Sequence, residues 1–346
     1  MRTKPAAALA AAILCASCAK SSDKAADTTP AAEPVVPAMK VGETGGMKVP
    51  ESVKYDADMD VYFVSNINGN PSERDGNGFI VVVRADSTNV TRILVESGKA
   101  SGGGTPIRLD APKGLAISGD TLWVADISTL HAINKRTGSK IFDLPIPGST
   151  FLNDVAVGPD GAIYITDTGI MFDAKGNISH PGTNRIFRVS NRKVNIVAEG
   201  DSLNNPNGLT WDAGNQRWLL AAFGGKDVQT LVPGSKFPTK LVSGPGQYDG
   251  IEQLADGRIL VSSWADSAVH VIQNGTMTRY VTNVSAPADI GIDTKRNILA
   301  IPRFNDGKVE YYMIHCWEMV DWWIGGVNET GGRDSGGIGW KGYDRR

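Results

Sequence analysis

The chain has 346 residues, 41% of them hydrophobic, and a formal net charge of −2. That is enough apolar material for a sizeable core, and the absence of a basic stripe argues against a nucleic-acid partner. No apolar run reaches bilayer-spanning length, and three cysteines, Cys15, Cys18 and Cys316, imply no disulfide framework.

The first residues have the parts of a bacterial export signal: two cations, Arg2 and Lys4, then an Ala/Leu/Ile-rich stretch over residues 6–16 and small residues before a candidate cut. Ala16-Ser17-Cys18 resembles a lipobox, although Cys15 stands where Leu or Val is usual. The expected location is therefore the periplasm, free or lipid-anchored through Cys18, with no other membrane contact. Residues 1–18 read as the export signal, 19–46 as an Ala/Pro/Asp/Lys tether that also holds a closing strand, 47–314 as the folded domain, and 315–346 as a Trp/Gly-rich tail.

A short pattern recurs from residue 51 onward: a polar residue, a small or polar one, then an aliphatic. The instances are Glu51-Ser52-Val53, Lys113-Gly114-Leu115, Asn153-Asp154-Val155, Asn207-Gly208-Leu209, Asp249-Gly250-Ile251 and a degenerate Ala288-Asp289-Ile290. The steps between them are 62, 40, 54, 42 and 39 residues. Short strands repeating at such a period are the signature of a propeller blade, which overrules a length-based prior of two domains.

Each unit continues with an Asp-Gly or Gly-Asp turn and further alternating strands. Residues 154–157, Pro159-Asp160-Gly161 and 162–166 show this most cleanly, and 251–254, Asp256-Gly257 and 258–263 repeat it. The expected fold is all-β, a six-bladed β-propeller. The sixth unit supplies only three strands, 289–293, 297–301 and 308–314, which would leave an unpaired edge. Residues 36–41 are the predicted fourth strand, closing the ring from the N-terminal side.

Two steps are long because loops 66–78 and 167–184 follow the second strands of the first and third units. Both belong at the mouth that carries the recurring polar residues. Extended loops in an economical fold are usually functional, a disordered insertion being the alternative. The tail, with Trp317, Trp322, Trp323 and Trp340, breaks the pattern and suggests no function of its own.

Because each anchor holds the same place in its blade, Glu51, Lys113, Asn153, Asn207, Asp249 and Ala288 should face one central channel, with Asp289 one step off. Two carboxylates and two carboxamides make an all-oxygen set suited to a hard cation such as Ca²⁺, Mg²⁺ or Mn²⁺. The competing reading places Lys113 between Glu51 and Asp249 as an internal counter-ion.

Pro50-Glu51, Asn153-Asp154, Asn205-Pro206-Asn207-Gly208 and Asp249-Gly250 together resemble the senescence marker protein, gluconolactonase and luciferin-regenerating-enzyme family of six-bladed, regucalcin-like propellers, over roughly residues 47–314. The resemblance implies that Glu51, Asn207 and Asp249 bind one divalent metal, Ca²⁺, Mg²⁺, Mn²⁺ or Zn²⁺. It also implies that Asn153 holds metal or substrate from beside it, that Asp249 is the general base, and that a lactone is hydrolysed. The cation would polarise the carbonyl and acidify a bound water, Asp249 would take its proton, and Asn153 would donate to the oxyanion.

One position departs from the family: Phe151 stands where sugar lactonases carry an arginine. With Trp264 and the loop residues Ile170, Met171 and Phe172, it makes the mouth apolar and favours a less polar lactone or ester, packing between blades being the alternative. Lys113, Phe151, Trp264 and His180 are the expected substrate contacts. His131 and His270 read as structural, and Asp75 and Asn77 as either a calcium loop or a turn. The main competing function is a non-catalytic binding propeller, since residues 154–167 also resemble an NHL repeat; scaffolding through the tail is a third.

Overall fold

Strands of five to seven residues, punctuated by Gly, Asn and Asp turns, build nearly all of the molecule. The computed structural model describes residues 35–314 apart from Gly102 and Thr183. The export segment, Cys18, residues 19–34 of the tether, and the tail with His315 and Cys316 lie outside the described residues.

A first strand, β1 (Met39–Thr44), precedes the repeats. Blade 1 is β2 (Pro50–Asp56), β3 (Val61–Asn66), β4 (Phe79–Arg84) and β5 (Val90–Glu96); blade 2 is β6 (Pro112–Ser118), β7 (Thr121–Asp126), β8 (Thr129–Asn134) and β9 (Lys140–Pro145). Blade 3 has β10 (Leu152–Val157) and β11 (Ile163–Asp167), a small loop hairpin β12 (Met171–Phe172) and β13 (Ile178–Ser179), then β14 (Arg185–Ser190) and β15 (Lys193–Glu199). Blade 4 is β16 (Pro206–Asp212), β17 (Arg217–Ala222), β18 (Asp227–Leu231) and β19 (Thr239–Ser243); blade 5 is β20 (Tyr248–Gln253), β21 (Ile259–Ser263), β22 (Ala268–Gln273) and β23 (Thr276–Thr282). Blade 6 has β24 (Gly291–Asp293), β25 (Ile298–Arg303) and β26 (Lys308–Met313), completed by β1.

Each blade is an antiparallel four-stranded sheet. Second strands such as β3 and β21 are buried along their whole length, because a neighbouring blade covers each face. The outer β9 alternates between half-buried and exposed residues. Apolar layers run between blades: Phe63, Ile80 and Val82 of blade 1 pack with Leu115, Leu122 and Ile133 of blade 2.

β1 pairs with β26 from Met39↔Met313 to Thr44↔Val309, and Lys40 reaches Glu310 at 2.8 Å. The closing strand begins three residues later than predicted. The preceding residues are held elsewhere: the Ala38 amide donates to the Tyr280 carbonyl of blade 5 (3.2 Å), and Val35 and Ala38 pack against the apolar layer of blades 5 and 6. At the axis, the Asp289 amide donates to the Glu51 carbonyl (2.8 Å), joining the last inner segment to the first.

Five inner strands carry the same irregularity, a register shift such as that between Pro50 and Val53. A β-bulge of this kind sets two residues against one and re-aims the side chains there. The extra amide is satisfied by a hydroxyl of the facing strand in three blades: Ser52 N to Ser65 Oγ (3.0 Å), Asp154 N to Thr166 Oγ1 (2.9 Å) and Gly250 N to Ser262 Oγ (2.8 Å). Glycine is needed at Gly208, because a Cβ there would lie 2.2 Å from the Asp249 carbonyl of the next blade. Among the described residues, no helix is long and apolar enough to cross a membrane.

Removing residues 1–44 should expose the β26 edge and lower the thermal midpoint by about 5 °C or more, read by thermal unfolding. An unchanged midpoint would show that β1 does not close the ring energetically.

Candidate functional site

Five of the six anchors, Glu51, Lys113, Asn153, Asn207 and Asp249, line one cavity of about 40 Å³ at the axis. Their approach segments are held by carboxylates and a carboxamide at the ends of second strands. Asn66 Oδ1 accepts from Lys48 N (2.8 Å), Asp126 from the amides of Asp110 and Ala111 (both 2.7 Å), and Asp167 Oδ1 from Phe151 N (2.8 Å). Ala288 does not line the cavity. Asp289 faces deeper, accepting from Ser52 Oγ and from Lys54 Nζ (3.4 Å).

Three cavity oxygens, Glu51 Oε2, Asn207 Oδ1 and Asp249 Oδ1, are buried without a hydrogen-bond partner. Such atoms are costly unless something compensates them. The Asp249 carboxylate is fixed on its other side, where Oδ2 accepts from Trp264 Nε1 at 2.9 Å. The Asn153 amide is fixed too: Nδ2 donates to Thr168 Oγ1 (3.0 Å), while Oδ1 accepts no hydrogen bond among the described residues. One of the two Nδ2 hydrogens is thereby committed to Thr168, and Oδ1, on the opposite side of the amide, is the atom that Asn153 has free to offer as a ligand or acceptor.

Lys113 is fully buried but pairs with no carboxylate among the described residues. Its Nζ donates to the Ala111 carbonyl (3.0 Å) and lies 4.2 Å from the Phe151 ring centroid. Burial pushes its pKa down to about 8, against the opposing pull of Asp126 and Glu51. The counter-ion arrangement, with Lys113 bridging Glu51 and Asp249, does not occur.

Among the described residues the charge along the axis is unbalanced. Glu51, Asp154, Asp249, Glu252 and Asp289 supply five carboxylates, and Lys54 and Lys113 two ammonium groups. Lys54 serves the lower part, 2.6 Å from Glu252 and 3.4 Å from Asp289. Higher up, burial and then the charges of Asp249 and Asp289 hold Glu51 well above the usual carboxylate range; burial and then Asp289 do the same to Asp249. Unpartnered oxygens on three blades, Asn153 beside them and excess negative charge fit a hard divalent cation. Among the described residues no imidazole or thiolate lines the cavity, so the donors favour Ca²⁺, Mg²⁺ or Mn²⁺ over Zn²⁺. Among the described residues there is no cluster of three or more His, Cys, Asp or Glu able to hold a metal; a cation here would draw on two carboxylates and two carboxamides.

Above the anchors the wall is apolar: Ile67, Pro71, Phe151, Ile170, Phe172, Phe223, Trp264 and Phe304. Four of these hold an equivalent place, one residue beyond a second strand, a ring that the sequence reading met only at Trp264. The signal was present, since an apolar residue follows Asn66, Asp126, Ala222, Ser263 and Arg303, but it differs in kind from blade to blade. The two long loops meet over the mouth: Ser72 Oγ accepts from Phe172 N (2.9 Å) and Asn70 Nδ2 donates to the Asp173 carbonyl (2.8 Å).

Some expected contacts are absent. His180 is exposed, lies 3.4 Å from Asn205 Nδ2 and does not line the cavity, and Met171 is 46% exposed. His131 is buried against Asp143 (2.8 Å) and Asp126 (3.4 Å), and His270 bonds Asp266 (3.1 Å). Asp75 and Asn77 bond one another within a turn.

A six-bladed propeller whose axial cavity is lined by two carboxylates, two carboxamides and a buried lysine defines the class. The family described as SMP-30/Gluconolactonase/LRE-like region matches residues 50–296, and the chain belongs to it. No curated protein matches the sequence. A gluconolactonase from Xanthomonas campestris is similar in structure at 15% identity, covering 82% of this chain and 99% of that one with a TM-score of 0.57. A calcium-binding protein, regucalcin, from Agrobacterium tumefaciens is similar at 17% identity, 81% and 94% coverage and a TM-score of 0.58. Virginiamycin B lyase from Staphylococcus aureus is similar at 14% identity, 79% and 99% coverage and a TM-score of 0.55. At these identities the likeness is one of fold.

The raised carboxyls make a pH prediction. In the metal-free protein the unfolded chain ionises first as pH rises, so the stability these two groups contribute is present at low pH and lost above the ordinary carboxylate range. A cation favours the ionised forms. Thermal unfolding should therefore show Ca²⁺ raising the midpoint more at about pH 8 than at about pH 5; equal stabilisation at both would count against the two carboxyls as ligands.

Proposed function

We propose that this protein is a metal-dependent hydrolase of a lactone or related ester less polar than a sugar lactone. The observation that carries the reading is the convergence of three unpartnered buried oxygens, from Glu51, Asn207 and Asp249, under an apolar wall. Family membership and the gluconolactonase and calcium-binding neighbours support it. Glu51, Asn207 and Asp249 would hold the ion, with Asn153 Oδ1 beside them. A bound divalent cation supplies carbonyl polarisation and a water of lowered pKa.

The chain's own groups do the rest. Asp249 is the general base, its Oδ1 receiving the proton of the attacking water while Trp264 keeps Oδ2 in place. Lys113, with one N–H spent on Ala111, has others to offer a developing oxyanion, a role that the Asn153 orientation leaves open. Phe151, Phe223 and Trp264 seat the apolar part of the substrate. The cavity of about 40 Å³ has room for an ion and water but is far below the ~300 Å³ of a typical ligand site, so most of the substrate would lie against the apolar lining that includes Pro71, Ile170 and Phe172. The periplasm, with or without a lipid on Cys18, is the proposed location.

The test is proton release from a panel of aliphatic and aryl lactones and esters, after chelation and again with Ca²⁺, Mg²⁺, Mn²⁺ or Zn²⁺ restored. Turnover should vanish with chelator, return with one metal, and fall about a hundredfold or more in Asp249→Asn. Silence across the panel with metal bound would move the assignment to a binding propeller.

A further inference from the structure

We propose that Thr168 is a positioning residue for the cation site: its hydroxyl turns the Asn153 amide so that the carbonyl oxygen, not the NH₂, faces the ion. The inference rests on reading the cavity as a cation site, and goes beyond it by naming what sets the orientation of a ligand that the backbone alone does not fix.

Thr168 occupies a symmetric place. In five blades the residue just beyond the second strand donates its amide to the carbonyl two residues before the anchor: Ile67 to Val49 (3.1 Å), Thr168 to Phe151 (3.0 Å), Phe223 to Asn205 (2.9 Å), Trp264 to Gln247 (3.0 Å) and Phe304 to Ala286 (3.1 Å). Ile127 follows β7 in the same way in blade 2. Around this collar the side chains are apolar or aromatic except at Thr168, which is fully buried. A buried hydroxyl in an apolar ring is costly unless both its donor and its acceptor are used.

Here both are used, and the proton count fixes the direction. Thr168 Oγ1 lies 2.9 Å from the Pro206 carbonyl, which can only accept, and 3.0 Å from Asn153 Nδ2. The single hydroxyl proton goes to Pro206, so the Thr168 oxygen is left to accept, and the Asn153 group facing it has to be the donor. The amide oxygen is thereby the atom available to the cavity. A collar residue of blade 5 acts in the same way: Trp264 donates to Asp249 Oδ2 (2.9 Å) and leaves Oδ1 facing the cavity. Thus the two collar residues with a polar atom each orient the anchor of their own blade.

Thr168 also ties blade 3 to blade 4. Its carbonyl accepts from Asn205 Nδ2 (2.8 Å), and two residues earlier Thr166 Oγ1 donates to the Asn207 carbonyl (2.6 Å). The strand segment bearing Asn207 is therefore registered against the one that orients Asn153. Groups that orient metal ligands typically change affinity by about 10–100-fold when removed.

The experiment measures Ca²⁺ affinity of the full chain by displacement of Tb³⁺ luminescence, alongside thermal unfolding of the metal-free protein. Thr168→Val, which keeps the shape and removes the hydroxyl, should weaken Ca²⁺ by about tenfold or more, whereas Thr168→Ser, which keeps the hydroxyl, should stay within about threefold of the parent. In an Asn153→Ala background the Thr168→Val loss should disappear, since nothing remains to orient. Parent-like affinity in Thr168→Val would overturn the proposal while leaving the cation site intact. Equal losses in the Val and Ser variants, or an undiminished loss in the Asn153→Ala background, would make Thr168 a packing residue and also overturn it. Absence of Ca²⁺ and Tb³⁺ binding by the parent protein would sink the cation reading itself. If Thr168→Val does not fold, Thr168→Ser remains decisive, because a tenfold loss there contradicts the hydroxyl's role.

Discussion

Burial of charge at the propeller axis is the constraint on which the rest of this structure turns. Six inner segments converge there, and bulges in five of them re-aim side chains toward the channel, out of bulk water. A buried carboxylate persists only with a partner or a shifted pKa. The lower channel supplies partners from the protein, although burial still raises the Asp154 and Asp289 carboxyls: Lys54 lies among Glu252 and Asp289, and the Asp154 carboxylate accepts the amides of Val155 and, from the next blade, Leu209, both at 2.7 Å. The upper channel does not. Glu51, Asn207 and Asp249 each keep an oxygen without a partner, and Lys113, whose side chain lines the same cavity, is turned to Ala111 and Phe151.

That contrast separates structure from chemistry within a single channel. Where partners are complete the residues lock blades together; where they are incomplete a bound ion would complete them. The apolar collar above sharpens the effect, because excluding water strengthens every electrostatic interaction beneath it. The loops of blades 1 and 3 extend that wall and join one another over the mouth. Under the proposed function, a preference for an apolar acyl or ring substituent would follow from the same burial that leaves these oxygens without a partner.

Much of this was legible in the sequence, for a physical reason. The repeat was visible because five of the six blades carry the same bulge at the same place, and a small residue follows the anchor where the next blade's backbone crowds it, as at Gly208. Five anchors could be read off as converging side chains, and Phe151 and Trp264 as their apolar neighbours, because repeat symmetry converts position into proximity. What escaped was set by hydrogen bonds between blades. The late start of β1 depends on Ala38 bonding Tyr280, the outward place of His180 on the path of a long loop, and the orientation of the Asn153 amide on one proton of Thr168. None of these leaves a periodic trace. The collar ring was missed because Ile, Thr, Phe and Trp share a position there without sharing a chemistry.

The most direct measurement is anomalous diffraction from crystals equilibrated with Mn²⁺. The account predicts one strong peak on the axis, at about 2.1–2.6 Å from Glu51 Oε2, Asn207 Oδ1 and Asp249 Oδ1, with Asn153 Oδ1 beside it. A map with no axial peak, and with the Lys113 ammonium swung across to Glu51 and Asp249, would contradict it and leave the channel a closed salt-bridged core.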